Sequence, residues 1–153
     1  MSSIGRSRTT GKRSDRQRLV QRLDRIFSKY IRLRDMIPET TLFRCISCGQ
    51  VKPISQADCG HYINRSHMMT RFSEVNCNAQ CKQCNRFDEG TMSGYRYGLI
   101  KKYGERQVQY LESLKTEYRK YEAFELEALC DHYNKKIAEE LKKRGLKISC
   151  LTK

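Results

Sequence analysis

The chain has 153 residues, enough for one domain or for a small domain with helical appendages, and its hydrophobic core is correspondingly modest. Its 31 Lys and Arg against 17 Asp and Glu leave a formal charge of +14, which points to a polyanionic partner, nucleic acid first and an anionic membrane surface second. No apolar run has spanning length and the N-terminus lacks the apolar stretch of a signal peptide. The expectation is therefore an intracellular protein with no membrane segment, whose eight cysteines serve as metal ligands plus spares rather than disulfides.

Residues 1–13 are small, polar and basic, and are expected to form a disordered arm whose Arg6, Arg8, Lys12 and Arg13 meet phosphates. Residues 1–34 carry 11 Lys and Arg against 2 acidic residues, so most of the net charge sits at this end. Over residues 14–37 the pattern is a basic amphipathic helix: Ser14 and Gln17 have the spacing of a capping box, and Leu19, Leu23, Ile26, Phe27, Tyr30 and Ile31 recur at helical intervals. The opposite face is arginine-rich, with Arg18, Arg22, Arg25 and Arg32, and Pro38 marks the end.

Residues 40–91 hold short β-like pieces punctuated by Gly49 and Pro53, with no long helical period. Two Cys-x-x-Cys pairs, Cys45/Cys48 and Cys81/Cys84, bracket this segment, 36 residues apart from first Cys to first Cys. Four thiolates in two such turns form one tetrahedral zinc site, which pins the ends of the intervening chain together. Cys59 and Cys77 compete as ligands, while Cys130 and Cys150 read as a buried helix residue and a tail thiol. From residue 92 to 147 the pattern is helical again, through Tyr95, Leu99 and Tyr103 to Gly104, then Val108, Leu111 and Leu114, with a last helix expected from about Tyr118 to Lys143 and Gly145 as its cap. Residues 148–153 form a tail.

Inside the clamp lies Asp58-Cys59-Gly60-His61, and Asn85 follows the last paired cysteine. Phosphodiester cleavage needs a base to deprotonate water and a cation to steady the developing oxyanions. His61 is the candidate base, and Asp58 and Asn85 offer the oxygen ligands that magnesium or manganese prefers.

At these residues the sequence resembles the HNH, or His-Me finger, nucleases. The resemblance rests on Cys45-x-x-Cys48-Gly49, Gly60-His61, Asn76 and Cys81-x-x-Cys84-Asn85. It is closer to one branch: Asp58-x-Gly60-His61-Tyr62, Arg71-Phe72-x-Glu74-x-Asn76, Gln80-Cys81-x-x-Cys84-Asn85, Gly90 and Tyr95-Arg96 look like the phage lambda NinG (Rap) recombination endonuclease family, over roughly residues 40 to 143. The resemblance implies an α+β fold, a zinc-stabilised ββα-metal (HNH) finger flanked by the N-terminal basic helix and C-terminal helices. It also implies a structure-selective DNA endonuclease acting on branched intermediates (Holliday junctions, D-loops) in the cytoplasm of a bacterial host. In that reading His61 is the general base, Asn76 orients the finger and Asn85 is a metal ligand. One departure is Gly60, which stands where the usual acid precedes the histidine, so Asp58 must reach in.

Around this centre Arg65, Arg71, Arg86 and Arg96 are candidate DNA contacts or simply solvated charges. Glu74 and Glu89 are extra metal ligands or exposed carboxylates, Glu89 being the better placed at one turn from Asn85. Tyr95, Tyr97 and Tyr103, interleaved with Arg96, Lys101 and Lys102, either stack on unpaired bases or pack on the zinc unit. His67 and His132 read as ordinary surface or helix histidines. The apolar helical stripes are core or the seam of a homodimer, which paired cuts across a junction would suit. The alternative function is a zinc-stabilised DNA- or RNA-binding module without catalytic activity; an adaptor whose charge merely keeps it soluble leaves the one-sided charge unexplained.

Deleting residues 1–13 removes Arg6, Arg8, Lys12 and Arg13, so DNA affinity is expected to fall and its salt dependence to flatten by up to about 4 charges' worth of counterion release. Binding measured across a salt series checks this. An unchanged slope means that the arm does not touch DNA.

Overall fold

A computed structural model describes residues 14–87, 92–147 and 149. Helix α1 runs Asp15–Arg34 and starts at the expected capping box, with the Ser14 hydroxyl accepting from Gln17 N and the Gln17 side chain accepting from Ser14 N. Its apolar stripe is buried through Leu23, Phe27, Tyr30, Ile31 and Leu33, and Asp35 caps the end. Arg18, Arg22 and Arg25 stay exposed on the outer face.

The middle segment folds into two small antiparallel pairs. Strand β1, Leu42–Arg44, pairs with β2, Val51–Pro53, and the turn between them carries the first cysteine pair. Strand β3, Ala57–His61, pairs with β4, Cys77–Cys81, setting Cys59 opposite Ala79 and His61 opposite Cys77. The short helix α2, Lys82–Arg86, follows β4 directly and carries Cys84 and Asn85. All five residues of β4 are buried, so this strand forms the centre of the unit.

Helix α3, Met92–Tyr103, turns at Gly104 into α4, Glu105–Ser113, as the glycine punctuation predicts; Gly104 takes a positive φ of 84° that suits only glycine. The last helix, α5, spans Ala123–Arg144 and ends on left-handed Gly145. It begins about a turn later than the periodicity suggested. Residues 118–121 are pinned instead as a strap, since Arg16 donates to the Tyr121 carbonyl at 3.0 Å and the Tyr121 ring packs edge-on to Phe72. Glu122 and Glu125 then form the capping box that starts α5.

The core lies in two parts. The larger joins α1, β4 and α5, with Phe27 and Tyr133 edge to face at 4.8 Å. The smaller joins Tyr62 and Ile63 to α3 and α4 through Tyr95, Leu99, Val108 and Leu111. The apolar stripes read from the sequence are thus core, and Cys130 is buried within α5 as expected.

Two glycines of α3 let the helix lie directly on the first cysteine turn. A Cβ at Gly94 would fall 2.6 Å from the Ser47 carbonyl oxygen, and one at Gly98 would fall 2.0 Å from that of Ile46. Both atoms belong to backbone and cannot swing away. Gly98→Ala is expected to push α3 off the turn and destabilise the protein by about 1–3 kcal/mol, whereas Tyr97→Ala at the exposed neighbour should cost no more than about 0.5 kcal/mol. Thermal unfolding of both variants checks this, and equal melting temperatures would contradict it.

Candidate metal and catalytic centre

The four thiols predicted to bind metal are brought together. Cys45 and Cys48 come from the β1–β2 turn, Cys81 from the end of β4 and Cys84 from α2, and their sulfurs all lie within 4.8 Å of one another. Cys48 and Cys81 sulfurs are 4.0 Å apart, close to the roughly 3.8 Å that Zn–S bonds of about 2.3 Å impose in a tetrahedron. The first turn is shaped for the purpose: Gly49 takes a φ of 70° while its N–H donates to the Cys45 carbonyl at 2.9 Å, and the Cys81 N–H donates to Cys45 sulfur at 3.3 Å. A soft, closed, mostly buried sulfur set fits zinc.

His61 ends β3, half-buried, with Nε2 3.1 Å from the carbonyl oxygen of Arg71. A proton on Nε2 makes this contact a hydrogen bond and leaves Nδ1 with the lone pair. Burial pulls the ring's pKa below the ordinary histidine value, against the upward pull of the Arg71 carbonyl and the Asp24 charge. At neutral pH the imidazole is therefore mainly neutral and able to accept a proton.

Asn76 accounts for the position of that carbonyl. Its side chain is fully buried; Oδ1 accepts from Ile63 N at 2.7 Å, and Nδ2 donates to the carbonyls of Ile63 at 3.0 Å and Thr70 at 3.1 Å. The amide thus ties the start of the β3–β4 connection to the residue before Arg71. Arg71 itself forks onto Asp24 of α1, with bonds of 2.9 and 2.6 Å, which fixes the same loop from outside.

Asp58 and Asn85 meet across the β3–α2 junction, with Asn85 Nδ2 donating to Asp58 Oδ2 at 3.0 Å. Arg86 forks onto the same carboxylate at 2.7 and 2.8 Å. Despite burial that raises it, the Asp58 carboxyl is held below its ordinary range by Arg86 and Asn85. With its amide turned, Asn85 would offer an oxygen beside the Asp58 carboxylate, the donor set that magnesium or manganese prefers. Asp58, His61, Asn85 and Arg86 line one cleft of about 300 Å³, whose wall α1 completes with Asp24 and Ser28. Cys59, His61, Arg65 and Asn85 also line an adjoining cleft of about 720 Å³.

Gly60 has a steric cause. A Cβ there would fall 2.2 Å from Gln80 Oε1 and 2.8 Å from Gln80 Cβ, and Gln80 is itself fixed by a 2.8 Å bond to the Ser47 hydroxyl. An acidic side chain before the histidine is excluded unless Gln80 moves.

Other predicted residues divide by their surroundings. Arg96 forks onto Glu112, and Glu74 binds Lys136 at 2.6 Å and accepts from Tyr30, so these groups tie helices together. Arg65 and His67 are exposed at the larger cleft. Tyr97 is exposed, whereas Tyr95 is fully buried and its hydroxyl donates to the Gly60 carbonyl at 2.8 Å while accepting from Asn78 N at 3.1 Å. Arg6, Arg8, Lys12, Arg13, Glu89 and Cys150 lie outside the described residues. Lys115, far along the chain, also lines the larger cleft; it sits in an exposed turn after α4 with no motif around it, so only the tertiary fold brings it to notice.

The family model described as Bacteriophage Lambda NinG protein matches residues 6–144. Protein ninG of Escherichia phage lambda is 33% identical over 96 residues, covering 62% of this chain and 46% of that protein. Protein ninG of Escherichia phage 933W matches at the same identity, and that of Enterobacteria phage H19B is 36% identical over 76 residues, 49% of this chain and 37% of the relative. The chain spans about half the length of the curated relatives it matches. No solved structure matches it. No helix among the described residues is long and apolar enough to cross a membrane.

Cys81→Ser is expected to release zinc and unfold the middle segment, because strands of three to five residues cannot stand without the clamp. Metal analysis and circular dichroism check this. A folded, zinc-free variant would refute the four-thiol site.

Proposed function

Because the chain belongs to the bacteriophage lambda NinG family, we propose that its β3–β4–α2 unit is a zinc-clamped ββα-metal finger of the HNH type and that the protein is a divalent-metal-dependent endonuclease for branched DNA. The observation that carries this reading is the pairing of a neutral, carbonyl-anchored His61 with the Asp58–Asn85 junction in one cleft. A binding module needs neither feature. The proposed site of action is the cytoplasm of the host bacterium, on Holliday junctions and D-loops arising in recombination, with a homodimer supplying paired cuts.

In this reading His61 Nδ1 takes the proton of the attacking water, while the Arg71 carbonyl holds Nε2–H and steadies the imidazolium that forms. Asn76 is a positioning residue that fixes the loop carrying that carbonyl. Asp58 and Asn85 would hold magnesium or manganese, which when bound supplies positive charge to the phosphate and leaving oxygen. Arg86 neutralises Asp58 now, and its exposed guanidinium is free to turn to a DNA phosphate once a cation takes that role. Exposed Arg18, Arg22, Arg25 and Arg65 supply backbone contacts along α1 and the cleft rim, giving affinity without reading bases.

The test is nicking of a synthetic four-way junction with magnesium by wild type and His61→Ala, with zinc measured on both. The variant is expected to retain zinc and junction affinity while its rate falls at least about 100-fold. Cutting within a few-fold of wild type would remove His61 from the chemistry. Binding without cutting by wild type would favour the binding module.

A further inference from the structure

Cys59 and Cys77 are not part of the four-thiol clamp. They form a group of their own with His61, whose ligand atoms lie within 4.8 Å of one another among the described residues. The strand register builds it: Cys59 and His61 are two apart on one face of β3, and Cys77 of β4 stands directly opposite His61. Ala79, opposite Cys59, offers no fourth ligand. We propose that Cys59, His61 and Cys77 form a second site, for a thiophilic divalent cation such as zinc or cadmium, whose filling withdraws His61 from its role as base.

The donor chemistry selects the ion. Two thiolates and an imidazole prefer zinc or cadmium to magnesium, and the two negative charges cancel the cation, leaving a neutral complex suited to the fully buried Cys77. Binding releases one proton from each thiol. The Cys77 thiol and His61 Nε2 already address the same Arg71 carbonyl oxygen, at 3.4 and 3.1 Å, and Nε2 is the ligand nitrogen in this proposal. A cation on Nε2 leaves the neutral ring's single N–H proton to move from Nε2 to Nδ1, where the coordinated imidazole carries it. The nitrogen that accepts a proton from water thereby becomes a donor. The same half-buried thiol, Cys59, lines both clefts, giving the ion a route from solvent.

The binding claim stands on geometry alone, and only its inhibitory consequence rests on the endonuclease reading. The full chain, its clamp first loaded with cadmium so that exchange of clamp zinc contributes nothing, is titrated with further cadmium while thiolate-to-metal absorbance and bound metal are followed. Wild type is expected to take a second equivalent with new thiolate absorbance, while Cys59→Ala and His61→Gln each keep the clamp metal but bind the second at least about ten-fold more weakly. Reading both variants keeps the test decisive if one fails to fold. Saturation of wild type at the clamp alone, or an unchanged second equivalent in either folded variant, overturns the site. In parallel, cadmium should slow magnesium-supported junction cutting by wild type at a concentration at least about ten-fold below that needed for Cys59→Ala. Equal sensitivity overturns the inhibitory role, and a wild type that never cuts with magnesium fails the endonuclease reading while the absorbance titration still decides the site.

Discussion

Four sulfurs converging on one point hold the rest of the molecule in register. The strands of the middle segment are three to five residues long, too short to persist as isolated pairs in water. Closing Cys45 and Cys48 onto Cys81 and Cys84 fixes the β1–β2 turn against the end of β4 and the start of α2, the helix that carries Asn85. The same turn is the surface on which Gly94 and Gly98 seat α3, so the clamp also positions that helix. A metal bound there would make folding and site assembly one event.

What the clamp does not hold, a polar network does. β4 is wholly buried and forms a ladder with β3 on one edge, so the backbone groups of its other edge need partners. The Asp35 carboxylate accepts from Ala79 N at 2.8 Å, Cys45 sulfur accepts from Cys81 N, and Ile46 N donates to the Ala79 carbonyl. Asp35 in turn is forked by Arg34 and bound by Lys102 at 2.7 Å, which keeps it ionised despite a burial that raises its pKa. A buried carboxylate without those cations would be costly; with them it links the end of α1, β4 and α3. Tyr95 performs the same service at the β3 end.

The legibility of the sequence followed the range of its signals. Capping and periodicity act over one or two turns, so α1, the Gly104 break and the Gly145 cap were readable from the chain alone. Cysteine spacing gave the clamp for the same reason. The start of α5 lies later than the periodicity predicts because Tyr121 is held outside the helix by Arg16 and Phe72, from elsewhere in the chain. Arg71, Arg86 and Arg96 show the limit more plainly. A charge count cannot tell a guanidinium awaiting phosphate from one forked onto Asp24, Asp58 or Glu112. The Gly94–Gly98 spacing is local, but its meaning depends on the Ile46–Ser47 backbone that lies against it.

In the proposed endonuclease the thiol clamp assembles an oxygen-ligand cation site beside His61. Manganese added to the zinc-loaded protein should broaden the backbone amide resonances of Asp58, His61 and Asn85 ahead of all others in the nuclear magnetic resonance spectrum, and removal of zinc by a chelator should abolish that selectivity. Broadening centred elsewhere, or unchanged broadening at these three residues after zinc is removed, would contradict the account.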